Sequence, residues 1–272
     1  MFNSRIAGLR LLGIIAFGGS SVLGARPAQA QEWPGPARDT SPAFTVDGRI
    51  ALHSFMSLSD GHLQKLADVL SLLANTDGVR SGEWDRIRGL LAEASRVNVP
   101  ATLWFALPNG TYWTVAQGRV AENLSDRPYF PRVLAGGTVI GDLVVSRSTK
   151  RNSAIVAVPV RGRDGSIVGV LGASVNLESL AALLRQEMGG IPSGQLFYAI
   201  DAQPLGALNS DSSLIFTEPM KLGDEGMRRA FTEMLSSEHG VVTYAFRGSR
   251  RTVLYQKSTV SGWWYGFGVT QQ

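Results

Sequence analysis

The sequence predicts an α+β protein in which helices precede two tandem units, each an antiparallel sheet with helices packed on it. Three observations point there. Leucines between Leu63 and Leu73 recur at the spacing of one helix face, the apolar period drops to two from Ala101 onward, and a strand, helix and three-strand order returns after Gly189. Two turn signals, Pro108-Asn109-Gly110 and Asp164-Gly165, each lie between strand-like runs and call for hairpins, hence antiparallel pairing.

At the N-terminus, Arg5 and Arg10 precede the apolar run Leu11 to Phe17, and small residues lead to Ala28-Gln29-Ala30. A basic start, a short apolar core and an A-x-A ending describe an export signal cleaved near Ala30. Gly18, Gly19, Ser20 and Ser21 interrupt the run well before the roughly 20 apolar residues of a spanning helix. The expected location is periplasmic or secreted. The net charge of +4 includes Arg5, Arg10 and Arg26, with no acid among the first thirty residues, so the rest carries +1 and no nucleic-acid partner is expected. With no cysteine, the fold uses no disulfide and no thiol chemistry.

Residues 31–44 contain Pro34, Pro36 and Pro42 and read as a flexible leader. The helical segment, residues 45–100, holds one helix bearing Leu63, Leu66, Leu70 and Leu73, with Ser59 or Asp60 as N-cap. A second helix is capped by Ser81 and carries Trp84, Ile87, Leu91 and Ala94 on one side, and Asn75 to Gly82 separates the two. His62 lies on the first helix without a second histidine at metal-binding spacing and is expected to face solvent.

The first sheet unit, residues 101–188, has strands at Thr102 to Leu107, Thr111 to Ala116, Thr138 to Ser146, Ser153 to Val160 and Ser166 to Val175, closed by a helix at Leu177 to Leu184. The second, residues 189–272, has a strand at Gln195 to Ile200, a helix face at Met227, Ala230, Phe231 and Met234, and strands at Val241 to Phe246, Thr252 to Gln256 and Trp263 to Val269. The similar order suggests duplication, although no residue-level repeat is visible.

The stretch Glu122 to Pro131 puts an acid, a guanidinium and two aromatics between these strands. Arg127 offers a planar fork for a carboxylate or phosphate, Tyr129 and Phe130 can wall a pocket, and Pro128 and Pro131 stiffen the loop. A second reading stays open: Asp126 and Arg127 as a local ion pair, with Tyr129 and Phe130 packing into the core. Strand parity puts Gly172 and Ser174 on one face, where they leave room for a ligand, although a strand glycine also marks a bulge or close packing. Tyr112 and Trp113 lie on opposite faces of their strand, and Tyr112 is the one expected at the pocket, with plain core packing as the open alternative. Arg147 is a second candidate anion contact, or simply part of an exposed basic loop.

The segments Asn123 to Phe130, Ser146-Arg147-Ser148-Thr149, Ala157-Val158-Pro159-Val160 and Gly165 to Val175 resemble, in order and spacing, the membrane-distal module of double Cache domains, which are extracytoplasmic PAS-like sensors. Tyr244, Gly248, Tyr255, Gly262 and Trp263 are similar to the membrane-proximal module. The resemblance implies two tandem PAS-like modules, a small-molecule pocket in the first, and signalling through a receptor or kinase partner, here a separate protein because the sequence stops at Gln272 without an output domain. It also implies that modules of this kind often pair through their N-terminal helices; the leucine face from Leu63 to Leu73 could serve, although it is expected rather to pack on its own sheet.

Among amino-acid-binding members, Arg127 and Tyr129 fall where the ligand carboxylate is held and Phe130 on the next aromatic. Glu122 stands in place of a tyrosine, and Ser174 in place of the aspartate that meets the ligand ammonium. A serine cannot neutralise an ammonium, so a small organic acid or other anion is expected ahead of an α-amino acid. No cofactor and no metal are expected, since Glu122, Asp126 and Asp142 do not form a calcium-type loop. A secreted hydrolase is the competing enzyme class, but G-x-S-x-G and H-E-x-x-H are absent and His53, His62 and His239 are scattered, so no enzymatic activity is expected. The third reading is an interaction protein with a vestigial pocket.

Overall fold

A computed structural model describes residues 47–271. The export signal and the leader lie outside these residues. The chain opens with α1 (Gly48–Ala74), α2 (Asp77–Arg80) and α3 (Trp84–Arg96), followed by β1 (Ala101–Ala106), β2 (Thr111–Thr114), β3 (Gly118–Asn123), α4 (Phe130–Leu134), β4 (Val139–Val145), β5 (Asn152–Arg161), β6 (Ile167–Asn176) and α5 (Leu177–Glu187). It continues with β7 (Gln195–Ile200), β8 (Gly206–Asn209), α6 (Pro219–Leu222), α7 (Glu225–Ser236), β9 (His239–Phe246), β10 (Ser249–Lys257) and β11 (Trp264–Gln271). No helix among the described residues is long and apolar enough to cross a membrane.

The strands form two antiparallel sheets, ordered β3-β2-β1-β6-β5-β4 and β8-β7-β11-β10-β9. Both hairpin signals hold: Leu107 and Thr111 close the first turn, and Gly162 and Ser166 the second. Two short strands, the mostly polar β3 and the four-residue β8, extend the sheet edges beyond what the alternation pattern shows.

Helix α1 differs most from expectation. It begins eleven residues before Ser59, with the Asp47 side chain accepting from the Arg49 amide at 2.8 Å, so Ser59 and Asp60 are interior residues rather than caps. Ser81 does not cap α3 either, because Glu83 is its N-cap residue. Within the expected break lies the one-turn α2, capped by Thr76. His62 is half-buried, with Nε2 2.8 Å from Glu187 on α5.

At 27 residues, α1 is about 40 Å long and packs on both sheets, along β5 of the first and along β10 and β11 of the second. Leu63, Leu66 and Leu70 are fully buried in the core that α1 shares with both sheets, so the leucine face is used inside the chain. Phe55 packs on Phe197 and Tyr265, at ring-centroid distances of 4.5 and 5.2 Å. Asp60 accepts hydrogen bonds from Ser258 at 2.7 Å and from Ser261 and Tyr265 at 2.9 Å, all three at the start of the last strand or in the loop before it.

The sheets also touch each other directly. The indole of Trp263 donates to the Gly141 carbonyl at 2.8 Å. Gly141 has φ +96°, and a Cβ there would lie 2.8 Å from the Ser261 carbonyl oxygen, so both backbone conformation and space demand glycine. On the sheet faces away from α1 sit two further apolar cores, one around Trp104, Tyr112, Tyr129 and Phe130, the other around Tyr198, Phe231 and Tyr244.

Candidate functional site

The loop Leu124 to Phe130 is a run of tight turns: the Arg127 amide donates to Leu124 at 3.0 Å and the Phe130 amide to Arg127 at 2.9 Å. Pro131 in the first turn of α4 is tolerated because that turn's N–H groups have no helical partner. The loop lays Arg127 and Tyr129 against a small cavity, about 10 Å³, on the face of the first sheet away from α1. Tyr112, Ser174 and Arg147 line the same cavity, so five of the seven candidate residues converge there.

Phe130 and Asp126 are placed elsewhere. Phe130 is buried in the core beneath the cavity, edge-on to Tyr129 at 6.5 Å, and supports that ring. Asp126 is exposed at the rim, where its two oxygens each accept from Arg147 at 2.7 Å. That fork holds the Asp126 carboxyl below the usual carboxylate range and raises the Arg147 guanidinium. The acid beside Arg127 in sequence therefore pairs with the arginine of the next loop. Glu122 is also exposed and is paired with Lys150 at 2.6 Å.

Arg127 is half-buried and donates one Nη hydrogen bond, at 2.7 Å, to the Val145 carbonyl. Guanidinium has five donors, so the group is anchored yet has capacity left for an anion. The Tyr112 hydroxyl is buried and has no hydrogen-bond partner among the described residues. Burial pushes the phenols of Tyr112 and Tyr129 above their ordinary range, so both are neutral donors at physiological pH.

One residue that defines the cavity carries no motif. Trp104 on β1 faces Gly172 on β6 in register, and its indole lies directly over that glycine, where a Cβ would sit 2.1 Å from the ring. The space over Gly172 expected for a ligand is therefore filled by Trp104. Its Nε1 donates to Ser174 Oγ at 3.3 Å, which leaves the Ser174 proton available to another acceptor. The paired register of a tryptophan and a glycine on neighbouring strands was the signal that could have revealed it. Trp113 points to the opposite face and stacks on Trp84 at 6.4 Å. No carboxylate lines the cavity.

No protein-family model matches the sequence, and no curated protein matches it. Solved structures do match. The ligand-binding domain of the Pseudomonas aeruginosa PAO1 chemoreceptor PctB, in complex with L-Arg, aligns over 81% of this chain and 94% of that chain at TM-score 0.63 and 15% identity. That of the Pseudomonas fluorescens chemoreceptor CtaA, in complex with L-alanine, aligns over 83% and 97% at TM-score 0.62 and 15% identity. The periplasmic sensory domain of the Campylobacter jejuni chemoreceptor Tlp1 aligns over 80% and 91% at TM-score 0.60 and 13% identity. The chain has the double Cache fold. In double Cache terms, the long helix with two tandem PAS-like sheets is the shared frame, and the cavity of Arg127 lies on the first of the two sheets.

Proposed function

We propose that the chain is an exported, non-catalytic sensory module whose first-sheet cavity binds a small organic acid or amino-acid-like anion and whose signal passes to a membrane receptor or kinase partner. One observation carries this reading: an anchored Arg127 with donors to spare and a buried, unpartnered Tyr112 hydroxyl face the same space. A buried donor without a partner costs about 1–3 kcal/mol, which a bound anion would recover. Arg127 and Tyr112 would take the anion, Ser174 would add a donor, and Tyr129 would wall the site. Arg147 and Asp126 would brace its rim, and Phe130 its floor.

The PctB and CtaA domains above were solved with amino acids, which carry an ammonium. With no carboxylate lining this cavity, that charge would go unmatched, which favours simple organic acids. A homodimer would use a surface other than the buried leucine face of α1.

A second reading is favoured by the size of the cavity. At about 10 Å³ it falls far below the roughly 300–1,000 Å³ of ordinary ligand pockets, as befits a vestigial pocket in an interaction protein. A thermal-shift screen of residues 31–272 against small carboxylates, amino acids, amines and purines, run beside Arg127→Ala, separates the two. Ligand at a hundredfold excess over Kd stabilises the folded state by about 2.7 kcal/mol, or about 5–10 °C for a chain of this size. A carboxylate hit that vanishes in Arg127→Ala supports the sensor. No hit, or one that survives the substitution, leaves the interaction protein as the better account.

A further inference from the structure

Each sheet has two edges, and three of the four are blunted against further pairing. β3 carries Arg119 and Glu122 and shifts register against β2. β4 carries Asp142 and shifts register against β5 beside Gly141. β8 has only four residues and shifts register against β7. Bulges, charges and short strands are the devices by which sheets keep other strands off their edges. The fourth edge, β9, has none of them. It pairs with β10 over eight residues in one unbroken register and contains no acid, lysine, arginine or proline. On its other side it has no partner among the described residues.

The register shows which backbone groups that edge presents. Just before the strand, the Glu238 carbonyl accepts from the Lys257 amide at 2.6 Å. Antiparallel pairs alternate, so Val242, Tyr244 and Phe246 bond to β10, whereas Val241, Thr243 and Ala245 turn N–H and C=O outward. The side chains of these three are exposed, Val241 by 52%, while the residues between them are buried in the core that α7 shares. A strand laid along β9 would therefore extend the sheet without disturbing that core.

The two ends of β9 differ in charge. Glu238 is exposed at its start. At its far end lie Arg247, paired with Asp211 at 3.0 Å, and the exposed Arg250, which stands opposite Ala245 and has no ion-pair partner among the described residues. A parallel neighbour of the same sequence would set like charges together. An antiparallel one sets the acid of each copy at the arginine end of the other.

We infer that β9 is the pairing edge of a homodimer. Two copies lay β9 against β9 antiparallel, about a two-fold axis near Thr243, and join their second sheets into one continuous sheet. The contact is isologous and occupies the one unblunted edge among the described residues, so assembly stops at two. The leucine face of α1 stays in its core, and the Arg127 cavity lies on the other sheet, so the pairing stands or falls without that site.

Sedimentation velocity of residues 31–272 between about 1 and about 200 µM reads the equilibrium, and a single dimer species is expected to grow in over that range. Thr243→Lys sets like charges across the two-fold axis and should weaken the dimer by about tenfold or more. Thr243→Glu should do the same, and an equimolar mixture of the two variants should recover the dimer because the charges are then unlike. In wild type, the Val241, Thr243 and Ala245 amides should gain protection from hydrogen exchange as concentration rises, which decides the matter without any substitution. A chain that stays monomeric at about 200 µM, a dimer that survives Thr243→Lys, a mixture that does not recover, or growth into open-ended oligomers overturns the inference. Amides at 241 and 243 already protected in the monomer overturn it too, because the edge is then covered within one chain.

Discussion

Replacing Gly172 with alanine puts a methyl where the Trp104 indole already lies. The new Cβ would sit 2.1, 2.3 and 2.5 Å from three carbons of that ring. Carbon atoms pack at about 3.5–4.0 Å, so the ring must retreat by about 1.5 Å. It has little room to do so, since Trp104 is only 2% exposed and sits between Tyr112 and Tyr129, each with its centroid 6.4 Å away. Overpacking of this kind costs about 1–3 kcal/mol, and losing the bond from Nε1 to Ser174 adds about 1 kcal/mol. Together these lower the melting temperature by about 5–15 °C for a chain of this size. Differential scanning fluorimetry of Gly172→Ala in the wild-type and Trp104→Leu backgrounds checks the cause, because residues in contact are not additive. The alanine should cost clearly less once the indole is gone. An equal cost in both backgrounds would refute the assignment of Gly172 to Trp104.

Two other perturbations follow from the packing and charge of the chain. Phe55→Ala empties a fully buried site between Phe197 and Tyr265, with an expected loss of about 3–5 kcal/mol in urea denaturation; a loss under about 1 kcal/mol would mean that α1 is not anchored there. Asp142 has its pKa raised from 3.8 because burial outweighs its Arg132 partner. The folded chain therefore holds that proton more tightly than the unfolded one, and the resulting stability is present at acid pH and lost as pH rises through the raised pKa. The melting-temperature difference, Asp142→Asn minus wild type, should grow between about pH 4 and pH 7; a flat or falling difference would remove burial as the dominant influence.

Strands that read as long β-rich runs were legible, as β4 to β6 and β9 to β11 show; β5 and β6 are buried almost continuously, and β9 alternates. Strand β3, Gly-Arg-Val-Ala-Glu-Asn, buries one residue and sits at a sheet edge, so its pairing leaves almost no apolar trace. The first half of α1 was hidden because Ser59 and Asp60, good cap residues by type, serve tertiary contacts instead: Ser59 lies 2.9 Å from the Tyr265 hydroxyl and Asp60 gathers three hydroxyls. At the cavity, Arg127 and Tyr129 could be picked out because their loop concentrates polar and aromatic residues. The pairing of Asp126 with Arg147 could not, because it joins loops 21 residues apart.

The hydroxyls gathered by Asp60 sit close to the middle of α1, with about 20 Å of helix on either side. A stiff rod held near its centre behaves as a seesaw. If the first sheet tilts the C-terminal arm by about 1 Å, the N-terminal arm at Gly48 swings by about the same amount in the opposite direction, because both arms share one backbone ladder. Gly48 lies beside the Leu254 side chain on β10, so that swing would reach the second sheet first through that side chain.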